Sequence, residues 1–316
     1  MFNIFGCPMH FGVGAPGLKY SLDYLRNRYE NLRIVKLPEI PMEEDPDCVL
    51  KNRNTVAATC QSIAQYMYSV FETGKIPLFL GGDHSVVMGS ASATSVYMQD
   101  HFGEDTGLIY IDAHADINTD ATTVSGNIHG VPVSALLGLG DEKLTGFLRP
   151  GAKFHPENIV YLGLRDIDPP ELTILKEQGI RYYTYDEICE RSLSVCLEET
   201  VSYLSHLHYV HLSFDIDSMD PAIMPGVSVP VKGGFTEAEV YEMFGTLMKK
   251  LPIAAYDIVE FNQEYDRGNR TANWCISSQP LTEKMHDNIV VRKGCRKMIC
   301  LIIRGTLNYF LRQVLS

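Results

Sequence analysis

Residues 107–130 read Gly107-Leu-Ile-Tyr-Ile-Asp-Ala-His-Ala-Asp-Ile-Asn-Thr-Asp-Ala-Thr-Thr-Val-Ser-Gly-Asn-Ile-His-Gly130. The leading run, Gly107 to Ile111, is rich in large and β-branched residues and bounded by Gly and Asp, which predicts a buried strand. Its end delivers Asp112, His114 and Asp116, spaced two apart. In an extended chain alternate residues share a face, so the three side chains can converge on one point. Two carboxylates and an imidazole suit a divalent metal such as Mn, Fe or Zn. Asp and Asn also crowd ordinary loops through local turns, so the rest of the chain has to decide.

On either side of this stretch, strand patterns alternate with helix patterns. Short apolar runs at 2–5, 32–37, 76–80, 158–163, 180–183, 208–214 and 253–259 predict strands. Helical periodicity covers about 18–32, 54–73, 86–98, 132–138, 171–178, 193–207 and 236–247, with Gly74 as a C-cap and Thr236-x-x-Glu239 as a capping box. Residues 12–17 and 38–52, rich in Gly, Pro and acids, read as loops. No internal repeat or linker interrupts the pattern. The expectation is a single α/β domain over residues 1–316, in three layers, with a central parallel sheet of about eight strands and helices on both faces.

The composition is that of an ordinary globular protein, 45% hydrophobic and 21% charged. A net charge of −12 argues against a nucleic-acid partner, which needs a basic face, and suits a site that gathers cations. The eight cysteines form no Cys-x-x-Cys pair and read as buried or free thiols in a reducing compartment. No signal peptide and no membrane-length apolar run is evident, so the cytoplasm is expected.

The functional signal is positional. His84, the Asp112–Asp116 group, Asp168, Asp215 with Asp217, and Glu260 each lie at or just past the C-terminal end of a predicted strand. In open parallel sheets that edge is where ligands bind. His84, Asp112, His114, Asp116, Asp215 and Asp217 make six potential ligands, four of them carboxylates. Four converging anions repel one another unless cations intervene, and two divalent ions would balance them. An oxygen-rich set without thiolates favours manganese. Two such ions can turn a shared water into a nucleophilic hydroxide near neutral pH.

Gly-Gly-Asp-His-Ser at 81–85, Asp-Ala-His-Ala-Asp at 112–116 and Ser-Phe-Asp-Ile-Asp-Ser-Met-Asp-Pro at 213–221 resemble the signatures of the ureohydrolases, the arginase and agmatinase family, over about residues 3–272. The resemblance implies two Mn2+ ions. His84, Asp112, Asp116 and Asp215 would hold one, Asp112, His114, Asp215 and Asp217 the other. Within the family the chain looks most like an arginase, which hydrolyses L-arginine to L-ornithine and urea by a metal-bridging hydroxide. On that resemblance Asn118, Ser125 and Asn127 would receive the substrate carboxylate, Asp168 its α-amino group and Glu260 its guanidinium. Asp116 and His129 would move protons. A trimer or hexamer is also implied. The alternatives are an agmatinase, a guanidino-acid hydrolase or formimidoylglutamase, and an inactive arginase-like binding protein.

The chain departs from the arginase pattern in three places. Ser228-Val229-Pro230 stands where Gly-Thr-Pro is usual, Gln263 replaces a Pro, and the segment from about 275 is unfamiliar. Residues 290–316 hold several Lys and Arg and no acid, with a strand expected at 298–303 and a helix at 307–315.

Overall fold

Eight strands pair side by side, every pair parallel, in the order β2-β1-β3-β8-β7-β4-β5-β6. The coordinates are a computed structural model, and the structure describes residues 2–29 and 33–277. Along the chain, β1 (Phe2–Gly6) leads to α1 (Leu18–Arg28), β2 (Val35–Lys36), α2 (Arg53–Glu72), β3 (Ile76–Leu80) and α3 (Val87–Phe102). Then come β4 (Gly107–Ile111), α4 (Pro132–Leu136), α5 (Glu142–Thr145), β5 (Ile159–Leu164), α6 (Pro169–Gln178), β6 (Arg181–Thr184) and α7 (Tyr185–Arg191). The described part ends with α8 (Leu193–Leu204), β7 (Val210–Asp215), α9 (Glu237–Lys250), β8 (Ile253–Val259) and α10 (Arg270–Ser277).

The sheet is apolar on both faces, as a parallel sheet between helices must be. Successive strand residues go to opposite sides. Leu78, Leu80, Ile109, Ile111, Leu212 and Phe214 join Leu22 and Leu25 of α1, Leu197 of α8 and Phe244 of α9 in one core. Phe5, Phe79, Ala255 and Val259 pack on the other side with Ile63 and Met67 of α2 and Tyr97 of α3. Under the centre of the sheet, the fully buried His211 bonds Thr94 Oγ1 at 2.8 Å and Asp257 Oδ2 at 2.7 Å, fastening β7 and β8 to α3. Among the described residues no helix is long and apolar enough to cross a membrane.

Every strand expected within the described residues is present. The 32–37 strand shrinks to the two exposed residues of β2, and Leu32 lies outside the described residues, as do the expected strand at 298–303 and helix at 307–315. The helix expected to run to Leu207 stops at Leu204. Three short helices had no expectation. One of them, α7, carried a legible start signal: Thr184 Oγ1 accepts Glu187 N at 3.1 Å, the first half of a Thr-x-x-Glu box. The Thr236–Glu239 box forms in both directions, at 3.3 and 2.7 Å. Six cysteines are described and all are free; Cys295 and Cys300 lie outside the described residues.

Candidate metal centre and substrate site

Strand order explains the site. His84 follows β3, Glu260 follows β8, Asp215 and Asp217 end and follow β7, Asp112 to Asp116 follow β4, and Asp168 follows β5. In the sheet those five strands are consecutive neighbours. At about 4.8 Å per strand their C-terminal ends span roughly 20 Å, enough for a cluster and a short substrate.

Each ligand is placed by a local device. After β3, Gly81 and Gly82 both take positive φ, +87° and +84°, so the chain reverses tightly and returns as a 3₁₀ turn that starts at His84. Beside β4 and β7 an extended backbone was expected to bring residues spaced by two together; the convergence rests on a pair of matching turns. Asp112 Oδ1 accepts His114 N at 2.7 Å, and Asp215 Oδ1 accepts Asp217 N at 2.7 Å. Each aspartate thereby folds its own successor inward. Asp116 and Glu260 sit at φ +49° and +63°, a conformation that costs about 1–3 kcal/mol for side-chain-bearing residues. Hydrogen bonds from Val133 N to Asp116 O and from Glu260 N to Gly82 O, both 2.9 Å, hold them there.

Two groups of ligand atoms result: His84 with Asp112 and Asp215, and Asp112 with His114 and Asp217. Asp112 belongs to both. His84 Nδ1 lies 2.8 Å from Asp112 Oδ2, 3.0 Å from Asp215 Oδ2 and 3.4 Å from Asp116 Oδ2. His114 Nδ1 lies 3.1 Å from Asp217 Oδ2 and 3.4 Å from Asp112 Oδ1. His84 Nδ1, Asp112 Oδ2 and Asp217 Oδ1 are buried yet make no hydrogen bond among the described residues. Close approach off the hydrogen-bonding direction, by atoms that cannot reach water, is the arrangement of ligands facing a common cation.

The electrostatics agree. Burial and the neighbouring Asp112 push the Asp116 carboxyl up to about 8, and burial with Asp217 and Asp112 raises Asp215. Burial opposes charge on His84, but the nearby carboxylates of Asp112 and Asp215 raise its pKa. Without a cation the cluster has to retain protons, and divalent ions would replace them. The donor set of four carboxylates and two imidazoles therefore fits a divalent pair.

Supporting groups orient the ligands. His84 stacks on Tyr110, centroids 4.3 Å apart, and Tyr110 Oη donates to Asp116 Oδ2 at 2.8 Å. Ser213 Oγ lies 2.9 Å from His84 Nε2, leaving Nδ1 to face the carboxylates. Groups that orient a metal-binding histidine are worth roughly 10- to 100-fold in metal affinity. Ser213→Ala is therefore expected to weaken divalent-metal binding within that range, read by metal titration; wild-type affinity would show that Ser213 does not orient the ring.

The expected substrate residues fall into three places. Asn118 Nδ2 donates to Asp168 Oδ2 at 3.1 Å, joining the β4 and β5 loops. Ser125 and Asn127 sit together on the exposed loop, Asn127 N donating to Ser125 Oγ at 3.2 Å. Glu260 and His129 face each other, with Nδ1 3.6 Å from Oε1. Burial disfavours the His129 charge, but Glu260 outweighs it and raises the imidazole to about 9. Glu260 Oε1 also accepts His84 N at 2.9 Å, while Oε2 is buried without a partner.

Three more supporting residues escaped the sequence reading. The buried Glu171 accepts Asp168 N at 2.9 Å and Ile117 N at 3.1 Å, tying together the loops that carry Asp168 and Asn118. Arg165 donates to Asp217 O at 2.6 Å, Ser218 O at 3.0 Å and Val231 O at 3.2 Å. Asp83 accepts Gly12 N at 2.8 Å and so draws the first loop onto the site. Only Glu171 had a local signal, the Asp168-Pro-Pro-Glu171 start of α6.

Two carboxylate–imidazole groups on the C-terminal edge of an all-parallel sheet make a candidate metal centre in an α/β protein. Comparison with known proteins narrows the class. A sequence model described as the Arginase family matches residues 1–277. The arginase of Bacillus subtilis (strain 168) is 35% identical over 286 residues, covering 87% of this chain and 94% of its own. The crystal structure of arginase from Bacillus cereus superposes with a TM-score of 0.79 at 32% identity, over 90% of this chain and 97% of its own. The Entamoeba histolytica arginase, solved in complex with L-ornithine, has a TM-score of 0.77 at 25% identity, over 88% and 97%. The chain belongs to the arginase family, whose members are metal-dependent amidinohydrolases.

Proposed function

We propose that this chain is a manganese-dependent arginase, a single catalytic domain that hydrolyses L-arginine to L-ornithine and urea. The observation that carries the reading is the buried Oε2 of Glu260, which has no partner among the described residues while Oε1 is already held by His84 N. A buried carboxylate oxygen beside a metal-ligand cluster suits a planar, permanently charged guanidinium.

His84, Asp112, Asp116 and Asp215 would hold one ion, and Asp112, His114, Asp215 and Asp217 the other. When bound, the ion pair supplies a water activated as a nucleophile at neutral pH. Glu260 holds the guanidinium so that its carbon faces the cluster. Asp168 receives the α-amino group, and Asn118, Ser125 and Asn127 receive the carboxylate. Hydrolysis adds water across the guanidinium carbon and breaks its bond to the chain nitrogen, so the departing amine must gain a proton. Asp116 is placed to hold that proton, and His129, beside Glu260, to exchange protons with solvent. The family resemblance also supports a cytoplasmic homo-oligomer of three or six chains.

Urea release tests the reading. The manganese-loaded protein is expected to hydrolyse L-arginine, to lose that activity on chelation and to regain it with added Mn2+. Agmatine, which lacks the carboxylate, is expected to be at least about 10²-fold poorer, as when a substrate leaves polar groups of a site unpaired. Preference for agmatine would sink the carboxylate assignment and favour another ureohydrolase, a reading that the half-buried Val229, without a hydroxyl, would then serve.

A further inference from the structure

The loop that carries Ser125 and Asn127 does not stand alone. Residues 49–51, just before α2, lie against it. Lys51 N donates to Gly126 O at 2.8 Å, and Lys51 Nζ donates to Asn127 Oδ1 at 3.2 Å. Gly126 is buried at φ +71°, and a Cβ there would come within 2.5 Å of Val49 O and 3.6 Å of Lys51 Cγ. The Lys51 stem thus passes directly over this glycine.

Two features set Lys51 apart. Arg53, two residues on, is paired by Asp45 at 2.6 Å and Asp141 at 2.9 Å. Lys51 is exposed, and among the described residues it has no ion-pair partner. It is a positive charge without a carboxylate partner, held beside Asn127 in a chain of net charge −12. An ammonium group can only donate. Its bond to Asn127 Oδ1 therefore fixes which way the amide faces and leaves Nδ2, whose one other contact is a 3.5 Å approach to Val13 O, free to donate elsewhere. Asn127 lies two residues before His129, which faces Glu260.

We propose that Lys51 is a specificity-determining residue of this site. It positions Asn127 as a hydrogen-bond donor and adds a positive charge at the end remote from the guanidinium, so that substrates ending in a carboxylate are preferred to those without one. The inference rests on the function proposed above and names the group that reads the far end of the substrate.

The test compares KM and kcat for L-arginine and agmatine in the manganese-loaded wild type, Lys51→Met and Lys51→Arg. Because the charge is exposed, its effect is moderate: Lys51→Met is expected to raise KM for L-arginine about three- to tenfold, with kcat changed less than about twofold. KM for agmatine should not move. Lys51→Arg should keep most of the wild-type KM. Salt at about 0.5 M should raise the wild-type KM for L-arginine and narrow its difference from Lys51→Met. An unchanged KM for L-arginine in Lys51→Met, beside a wild type that prefers L-arginine, overturns the inference and leaves the function standing. An equal rise for both substrates also overturns it, since it makes Lys51 a prop for the loop. A wild type that hydrolyses neither substrate overturns both.

Discussion

Asp112→Asn is expected to leave a folded protein that holds little manganese and releases almost no urea from L-arginine. Asp112 is fully buried and belongs to both groups of ligand atoms found among the described residues. An amide keeps the oxygen that accepts His114 N, so the turn after β4 survives. The amide is uncharged and offers a single oxygen, which the turn already engages. Groups that merely orient a ligand are worth roughly 10- to 100-fold, so losing a shared carboxylate should exceed about 10³-fold in kcat/KM. The metal-free stability should not rise, because burial opposes the Asp112 charge but His114 and His84 outweigh it and hold the carboxyl below its usual range. Stability in manganese should fall, by about 2.7 kcal/mol if the wild type is assayed at a hundredfold excess over Kd. Metal content by elemental analysis, thermal melts with and without Mn2+, and urea release separate these effects. Two ions per chain with wild-type turnover would remove Asp112 from the ligand set.

Glu260→Gln is expected to do the reverse: full metal content with catalysis lost. Glu260 Oε1 accepts His84 N, and a glutamine must satisfy the same donor with its one oxygen. That forces its amide nitrogen into the place of Oε2, the atom left open for the guanidinium. Donor would then meet donor in a buried place. Losing a charge-assisted hydrogen bond and leaving the group unpaired costs about 3–4 kcal/mol, or roughly 10²–10³-fold in kcat/KM. Because the His84 contact is kept, manganese titration should match wild type. Lost metal binding would mean that Glu260 supports the cluster and leave the guanidinium without an assigned partner. Retained kcat/KM would end the assignment outright.

Much of this site could be read before any coordinates. The six candidate ligands were legible because short apolar strand runs give way within a few residues to Asp or His, and a parallel sheet puts all such ends on one edge. Asn118, Ser125 and Asn127 were legible through resemblance rather than periodicity. The supporting residues were largely not. Glu171 bonds a backbone 54 positions away in the chain, and Asp83 bonds one 71 positions away. Ser213 faces His84 across 129 positions. Such contacts leave no local pattern, because a single Glu, Asp or Ser in a loop has an ordinary local explanation.

What the sequence determined by itself was the alternation of strands and helices, the apolar faces, and the chemistry waiting at each strand end. Those depend on residue type and on repeats of two and 3.6, all short-range properties. The order of the strands was left to the tertiary structure. By entering between β3 and β7, β8 carries Glu260 beside His84 and His129. That choice is made by packing both faces of the sheet under long-range pairing, which no short window of residues encodes. The same packing set residues 49–51 against the 125–127 loop, and so placed Lys51, an ordinary loop lysine in the sequence, against Asn127.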